Sequence, residues 1–200
     1  MSTLNPVVSP GISIGYALAS VAEWVRRLTV RVSFQGGSRI GPHGSGVIWR
    51  PDGLIVTNAH VAGSQMHEVE FSDGRRVPGR LVARDPQRDL AALRVDMELL
   101  PAMCARSARE CRVGELVIAV GNPMDGEMAV STGIVHRPAG PRPFLFADIR
   151  LAPGNSGGPL ADVQGNVIGI NCAIIDGLGC AVTSDAVREF LSTAGIAEAA

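Results

Sequence analysis

Ile14, Leu18, Val21, Val25 and Leu28 recur at alternating steps of four and three, and Trp24 adds bulk near the same face. That spacing predicts an amphipathic helix. The stripe covers only about two heptads, short for a coiled-coil seam. It suits a helix packed on its own domain or on a neighbouring subunit. Residues 1–11, with two prolines and a glycine, read as a flexible arm. From Thr29 the period changes to two, with Val30 and Val32 alternating. Short apolar runs then follow, at Gly46 to Trp49, Leu54 to Thr57, Val69 to Phe71, Leu81 to Ala83, Leu90 to Val95, Leu116 to Val120, Val130 to Val135, Phe144 to Ala147 and Val167 to Asn171. Turn signals separate them, among them Pro51-Asp52-Gly53, Asp73-Gly74 and Gln164-Gly165-Asn166. Many short strands at this spacing predict an antiparallel sandwich or barrel. Near the end, Ser184 reads as an N-cap with Asp185 in the first turn, and Val187, Phe190 and Leu191 form an apolar face. A terminal helix is expected over 184–194, with 195–200 fraying.

Composition narrows this picture. A chain of 200 residues that is 46% hydrophobic and 18% charged can bury a substantial core and is not a disordered segment. The net charge of −1 gives no electrostatic case for nucleic acid or an anionic membrane. No apolar run is long enough to span a bilayer. The four cysteines, Cys104, Cys111, Cys172 and Cys180, lack zinc-like spacing and read as buried free thiols. Residues 1–22 contain no Lys or Arg, so a signal peptide would lack its basic region, although Ala17-Leu18-Ala19 faintly resembles a cleavage site. The balance leans slightly to the cytoplasm and leaves export open.

One stretch concentrates chemistry: Pro153-Gly154-Asn155-Ser156-Gly157-Gly158-Pro159-Leu160. A serine on a tight, glycine-flanked turn can expose its hydroxyl and present backbone N–H groups beside it. Acyl transfer needs both a nucleophile and oxyanion donors. A bare Gly-x-Ser-Gly would more often be a surface turn, so a base and a carboxylate are required elsewhere. Of His43, His60, His67 and His136, His60 is the best base. It follows the apolar strand Leu54 to Thr57 directly, which limits its freedom. His43 and His67 read as solvated, and His136 follows a strand without helpful neighbours. Asp89, opening the strand Asp89 to Val95, can be partly buried and anchored; its bland alternative is a strand-end cap paired with Arg88. Asp85, before Pro86, reads as a turn residue. The order His60, Asp89, Ser156 is that of a chymotrypsin-type triad.

The local strings carry a family resemblance. Gly44-Ser45-Gly46-Val47-Ile48, Thr57-Asn58-Ala59-His60-Val61, Asp89-Leu90-Ala91-Ala92-Leu93, Gly121-Asn122-Pro123, Ser131-Thr132-Gly133-Ile134-Val135 and Gly154 to Leu160 resemble the HtrA-type trypsin-like serine proteases, in that order, from about residue 13 to 194. The resemblance implies an all-β, chymotrypsin-like double antiparallel β-barrel with an N-terminal and a C-terminal helix. The protease domain would cover 12–200, with a first barrel over about 29–100, a crossover near 100–113, and a second barrel over about 114–183. It implies a serine endopeptidase acting on unfolded or misfolded polypeptide, with no cofactor or metal. Ser156 would be the nucleophile, His60 the base and Asp89 its orienter. The N–H groups of Gly154 and Ser156 would form the oxyanion hole, with Asn155 as a helper. Leu151, Ile174 and Ile175 would line the primary pocket, and with no acid among them cleavage is expected after small or medium aliphatic residues.

Departures from the family pattern are also legible. Family members commonly carry PDZ domains after the protease; these 200 residues read as protease domain only. The segment from Val135 to Asp148, where a longer regulatory loop is usual, is short, and the turn after Ile175 is little more than Asp176-Gly177. Trimerisation through N-terminal aromatics, common in the family, points to Tyr16 and Trp24. If Asp176-Gly177 centres a hairpin, Cys172 and Cys180 could face each other closely enough for a disulfide. A proteolytically silent binding or chaperone-like module on the same fold is the alternative function.

Overall fold

The computed structural model describes residues 14–34, 43–63, 65–122 and 128–197. The arm 1–11, the loop residues Gly41 and Pro42, and Pro123 lie outside the described residues. The chain forms two closed six-stranded antiparallel barrels. The first contains β1 (Thr29–Phe34), β2 (His43–Arg50), β3 (Leu54–Thr57), β4 (Met66–Glu70), β5 (Arg76–Asp85) and β6 (Leu90–Val95). The second contains β7 (Leu116–Gly121), β8 (Ala129–Arg137), β9 (Phe144–Asp148), β10 (Pro159–Asp162), β11 (Val167–Ile175) and β12 (Leu178–Thr183). Helix α1 (Ile14–Leu28) precedes the first barrel and α2 (Ser184–Thr193) follows the second. No described helix is long and apolar enough to cross a membrane.

The uninterrupted apolar runs became the best-buried strands. β3 is buried at every position, and β6 at all but Arg94. Two strands escape the hydrophobic pattern. β10 begins inside the serine string, at Pro159, and β12 starts with Leu178-Gly179-Cys180, whose small residues blur the alternation. Each barrel has its own apolar filling. Val30, Ile48, Ile55 and Leu93 fill the first, and Val117, Leu145, Leu160 and Ile168 the second. A third cluster joins them. Val47, Leu54 and Val56 meet Ile170 and Val182, and Val187, Phe190 and Leu191 of α2 pack into the same seam. The terminal helix therefore fixes one barrel against the other, which a site shared between them requires.

Several expectations need correction. The N-cap of α2 is Thr183, whose Oγ1 accepts the Ala186 N–H at 3.3 Å. Ser184 instead donates its hydroxyl to the Arg106 carbonyl at 2.6 Å, tying α2 to the crossover segment. The chain does not fray straight after α2. Ile196 donates its N–H to Leu191 at 2.9 Å and packs on the shared core. α1 packs on its own domain, Val25 meeting Ile118, Val120 and Ala161. His67 is not solvated; it points inward from β4, fully buried, 5.7 Å from the Phe34 ring. His43 is a half-buried residue of β2 opposite Ser33 rather than part of a loop. His136 lies within β8, exposed, rather than beyond a strand.

Candidate active site

The site is built where β3 runs out. Leu54 to Thr57 is wholly buried, and Asn58 then starts a tight turn whose carbonyl accepts the N–H groups of Val61 (3.2 Å) and Ala62 (3.1 Å). His60 rides on that turn. Arg84 holds it from β5, donating from Nη2 and Nε to the Ala59 carbonyl at 3.0 and 3.2 Å.

Asp89 reaches His60 from one residue before β6, not from within the strand. Its backbone sits at φ 54°, the left-handed region that only a few residue types enter readily. Asn58 stabilises the arrangement by donating Nδ2–H to the Asp89 carbonyl at 2.9 Å. The carboxylate then accepts the His60 backbone N–H at 3.0 Å and faces His60 Nδ1 at 2.8 and 3.0 Å. A tautomer with its proton on Nδ1, toward Asp89, leaves Nε2 with a free lone pair. Arg88 does not compete for this carboxylate; it pairs with Asp85 and Glu189. The hydrogen bond to Asp89 raises the His60 pKa above its ordinary value, against the opposing effect of partial burial.

Ser156 comes from the second barrel, on the turn before β10. Ala152 to Asn155 forms a β-turn closed by the Asn155 N–H on the Ala152 carbonyl at 3.0 Å, with proline second and Gly154 third at φ 100°. That is the residue order of a type II turn, which needs positive φ at its third position. The serine string is then pinned from both sides. The Ser156 carbonyl accepts the Ser45 N–H (2.8 Å), the Gly157 N–H donates to Asn171 (2.8 Å), and the Gly158 N–H donates to Asn155 (3.0 Å). A β-carbon at Gly157 would stand 2.0 Å from the Ser45 carbonyl oxygen and 2.3 Å from Thr57 Oγ1. The serine turn thus lies directly on the strand that leads to His60. Gly44 gives a second measure of this closeness: a β-carbon there would be 2.6 Å from Val61 Cγ2 and 3.0 Å from the Ser156 carbonyl oxygen.

His60 and Asp89 are therefore in contact, and Ser156 is brought to the same inter-barrel cleft. Among the described residues no hydrogen bond joins Ser156 Oγ to His60. The N–H groups of Gly154 and Ser156 donate to no described protein group, whereas the Asn155 N–H is already engaged by Ala152. A cavity of about 180 Å³ opens beside Ser156, with Leu151 and Ile174 in its wall. Ile175 is not part of that wall. It faces a separate groove, because successive residues of a strand point to opposite sides.

Two contributors had gone unassigned. Ser45 Oγ accepts the Asn122 N–H at 2.8 Å and donates to the Gly154 carbonyl at 2.7 Å, bridging the barrels. Asn58 fixes the Asp89 backbone. Both are buried polar residues inside otherwise apolar or glycine-rich strings, and that is the signal that could have exposed them. No described cluster of three or more His, Cys, Asp or Glu side chains is placed to hold a metal. All four cysteines are free thiols, Cys104 exposed rather than buried. Cys172 and Cys180 are not bonded. A bulge between Asn171 and Ala173 sets Ala173, not Cys172, opposite Cys180, and Cys172 Sγ lies 3.3 Å from the Cys180 carbonyl oxygen.

The family described as "Trypsin-like peptidase domain" matches residues 44–170. A "Probable periplasmic serine endoprotease DegP-like" of Halomonas elongata is 41% identical over 138 residues, which cover 66% of this chain and 29% of that protein. Human "Serine protease HTRA4" is 35% identical over 194 residues, 88% of this chain and 41% of the relative. The chain thus spans well under half the length of these relatives. Among solved structures, "HtrA-type protease AlgW with tripeptide" superimposes with a TM-score of 0.79 at 32% identity, covering 90% of this chain and 63% of the other. The chain belongs to the trypsin-like peptidase family, and these relatives are of its HtrA, or DegP-like, type.

Proposed function

We propose that the chain is a serine endopeptidase in which Ser156 attacks the peptide carbonyl, His60 moves the proton and Asp89 orients His60. The observation that carries this reading is the His60 Nδ1–Asp89 contact at 2.8 Å, set in the cleft that also receives the Ser156 turn. Asp89 holds the Nδ1–H tautomer, which leaves Nε2 to take the serine proton and later deliver it to the leaving amine. The N–H groups of Gly154 and Ser156 supply the oxyanion hole; Asn155, its N–H spent within the turn, serves structure instead.

The cavity beside Ser156 supports cleavage after small or medium aliphatic residues. It is small, and its wall contains no acidic side chain to pair with a buried Lys or Arg. Leu151 and Ile174 shape it, without Ile175. An unfolded or misfolded polypeptide, whose side chains are free to enter such a cavity, is the substrate of this reading. The names of the DegP-like relatives support an exported protein over the slight cytoplasmic lean of the sequence. Cell fractionation of the tagged full chain tests this, with recovery in the cytosol alone overturning it. Self-association through α1 belongs to the same reading, since Tyr16 is 70% exposed on that helix.

The missing Ser156–His60 hydrogen bond is the one observation favouring a silent binding module. Such bonds are often long before substrate binds, so it does not outweigh the rest. Wild type and Ser156→Ala are compared on casein and on a fluorophosphonate probe. Wild type is expected to cleave casein and take the label, with activity about 10⁶-fold lower in the variant. Equal behaviour of the two refutes the protease reading.

A further inference from the structure

The outer face of the second barrel carries an apolar groove of about 750 Å³. Its floor follows a row of cross-strand neighbours. Ala173 pairs with Cys180, Cys180 with Phe146, and Phe146 with Arg137, across β11, β12, β9 and β8. Directly paired residues share one face of a sheet, so the row forms a continuous surface. Phe144, two residues from Phe146, lies on that face too and also packs on the seam between the barrels, and Pro138, Gly140, Pro141 and Arg142 line the groove beside it. Where it leaves that seam, the outer face of an antiparallel sheet is ordinarily polar; here the apolar surface continues past Phe144 to Phe146.

Position and charge indicate what the groove is for. Cys172 and Ala173 line both this groove and the cavity beside Ser156, so the two adjoin along β11. Asp89 stands at the catalytic end, its carboxylate engaged by His60. Arg137 and Arg142 stand on the lining as well, and Arg137 lies 4.1 Å over the Phe146 ring. Neither arginine forms a salt bridge with a described residue. An aromatic hollow bounded by two guanidiniums without carboxylate partners is complementary to a bulky apolar side chain next to an acidic one.

We propose that this groove is a second recognition subsite for the substrate, taking a large apolar residue adjacent to Asp or Glu. Resting on the protease reading, this places the apolar–acidic pair a few residues from the scissile bond, since an extended chain advances about 3.3 Å per residue. Ile175, at the groove rather than at the small cavity, contributes to this second preference. The enzyme thereby selects on two features, a small aliphatic residue at the cut and an apolar–acidic pair beside it.

The test uses internally quenched peptides with Val at the cleavage position and a Phe-Glu pair walked along either flank. Matched peptides carry Gln or Lys in place of Glu. At one register kcat/KM is expected to be about fivefold higher for Glu than for Gln, with Lys lowest. In Arg137→Glu/Arg142→Glu the order should invert, Lys exceeding Glu. The same peptides, dye-labelled, are titrated into Ser156→Ala and read by anisotropy, which reports the preference whether or not the chain cleaves. Glu, Gln and Lys peptides within about twofold of one another at every register, by both readouts, overturn the proposal. So does a Glu preference that survives charge reversal. Failure of the protease reading looks different: no peptide is turned over and the fluorophosphonate does not label Ser156, while the binding preference still stands or falls on its own.

Discussion

Ser45 holds Gly154: its Oγ donates to the Gly154 carbonyl at 2.7 Å, across 109 residues of chain and from one barrel to the other. The same oxygen accepts the Asn122 N–H, so one buried hydroxyl fixes two loops of the second barrel on β2 of the first. Ser45→Ala strands both partners in a dry environment. We expect a stability loss of about 1–3 kcal/mol in urea denaturation. Because the Gly154 peptide adjoins the proposed oxyanion donors, kcat should fall about tenfold or more while KM changes little. An unchanged kcat in a folded Ser45→Ala protein would show that the bridge is structural only.

The His60–Asp89 pair predicts a pH dependence. In the proposed mechanism His60 must be neutral to accept the serine proton, and the hydrogen bond to Asp89 raises its pKa above the ordinary value. Activity should therefore fall on the acid side as pH drops through that raised value. In Asp89→Asn the acceptor charge is lost, so the acid limb should move to lower pH while kcat drops about 10⁴-fold. The stability effect has the opposite sense. A raised folded pKa stabilises the fold below the unfolded value and ceases to do so as pH rises through the folded one. Since the His60 side chain is 51% and the Asp89 side chain 30% exposed, only the activity profile is expected to be readily measurable.

Ile174 is exposed at the lip of the small cavity, which makes it a handle on specificity. Ile174→Asp would place a carboxylate where a substrate cation now finds no partner. The ratio of kcat/KM for Arg over Val at the cleavage position should rise about tenfold or more. The matching change Ile175→Asp should leave that ratio nearly constant, because Ile175 faces the other groove. Equal responses from the two variants would remove the distinction between the cavity and the groove.

How much of this was legible in the sequence depended on whether function and folding asked for the same residues. β3 and β6 were visible because a strand buried on both faces must be apolar throughout. β10 was hidden because Pro159 to Asp162 also terminates the serine turn, so turn chemistry masks the strand. The sequence reads His67 as solvated because Glu68 and Glu70 beside it are polar. In a strand those neighbours face the other way, and His67 with Val69 takes the inward side. His60, Asp89 and Ser156 were legible as triad candidates because each follows or precedes an apolar strand with its own local string. The Ser45 bridge was legible only in part: a polar residue in a glycine-rich strand string marks Ser45, but nothing in sequence names its partners across the two barrels. The Asn155 N–H could not be excluded as a donor either until the turn that consumes it was seen.

The thiol pair makes the last prediction. Cys172 lines both the Ser156 cavity and the arginine-rimmed groove, and its neighbour Cys180 lines the groove. Hydrogen bonding with the Cys180 thiol, then burial and nearby negative charge including Asp89, push the Cys172 pKa far up, so it is held as a thiol near neutral pH. Only the thiolate is strongly nucleophilic, so a wall position does not imply a reactive one. Thiol titration of the denatured chain should count four free cysteines with or without prior reductant, in keeping with the bulge that sets Ala173 opposite Cys180. On the native protein, a maleimide should label exposed Cys104 first and Cys172 slowly, with casein cleavage declining only as the second label is acquired. Rapid inactivation tracking the first label, in a Cys104→Ser background, would show instead that Cys172 is ionised and that its proton is not held as described.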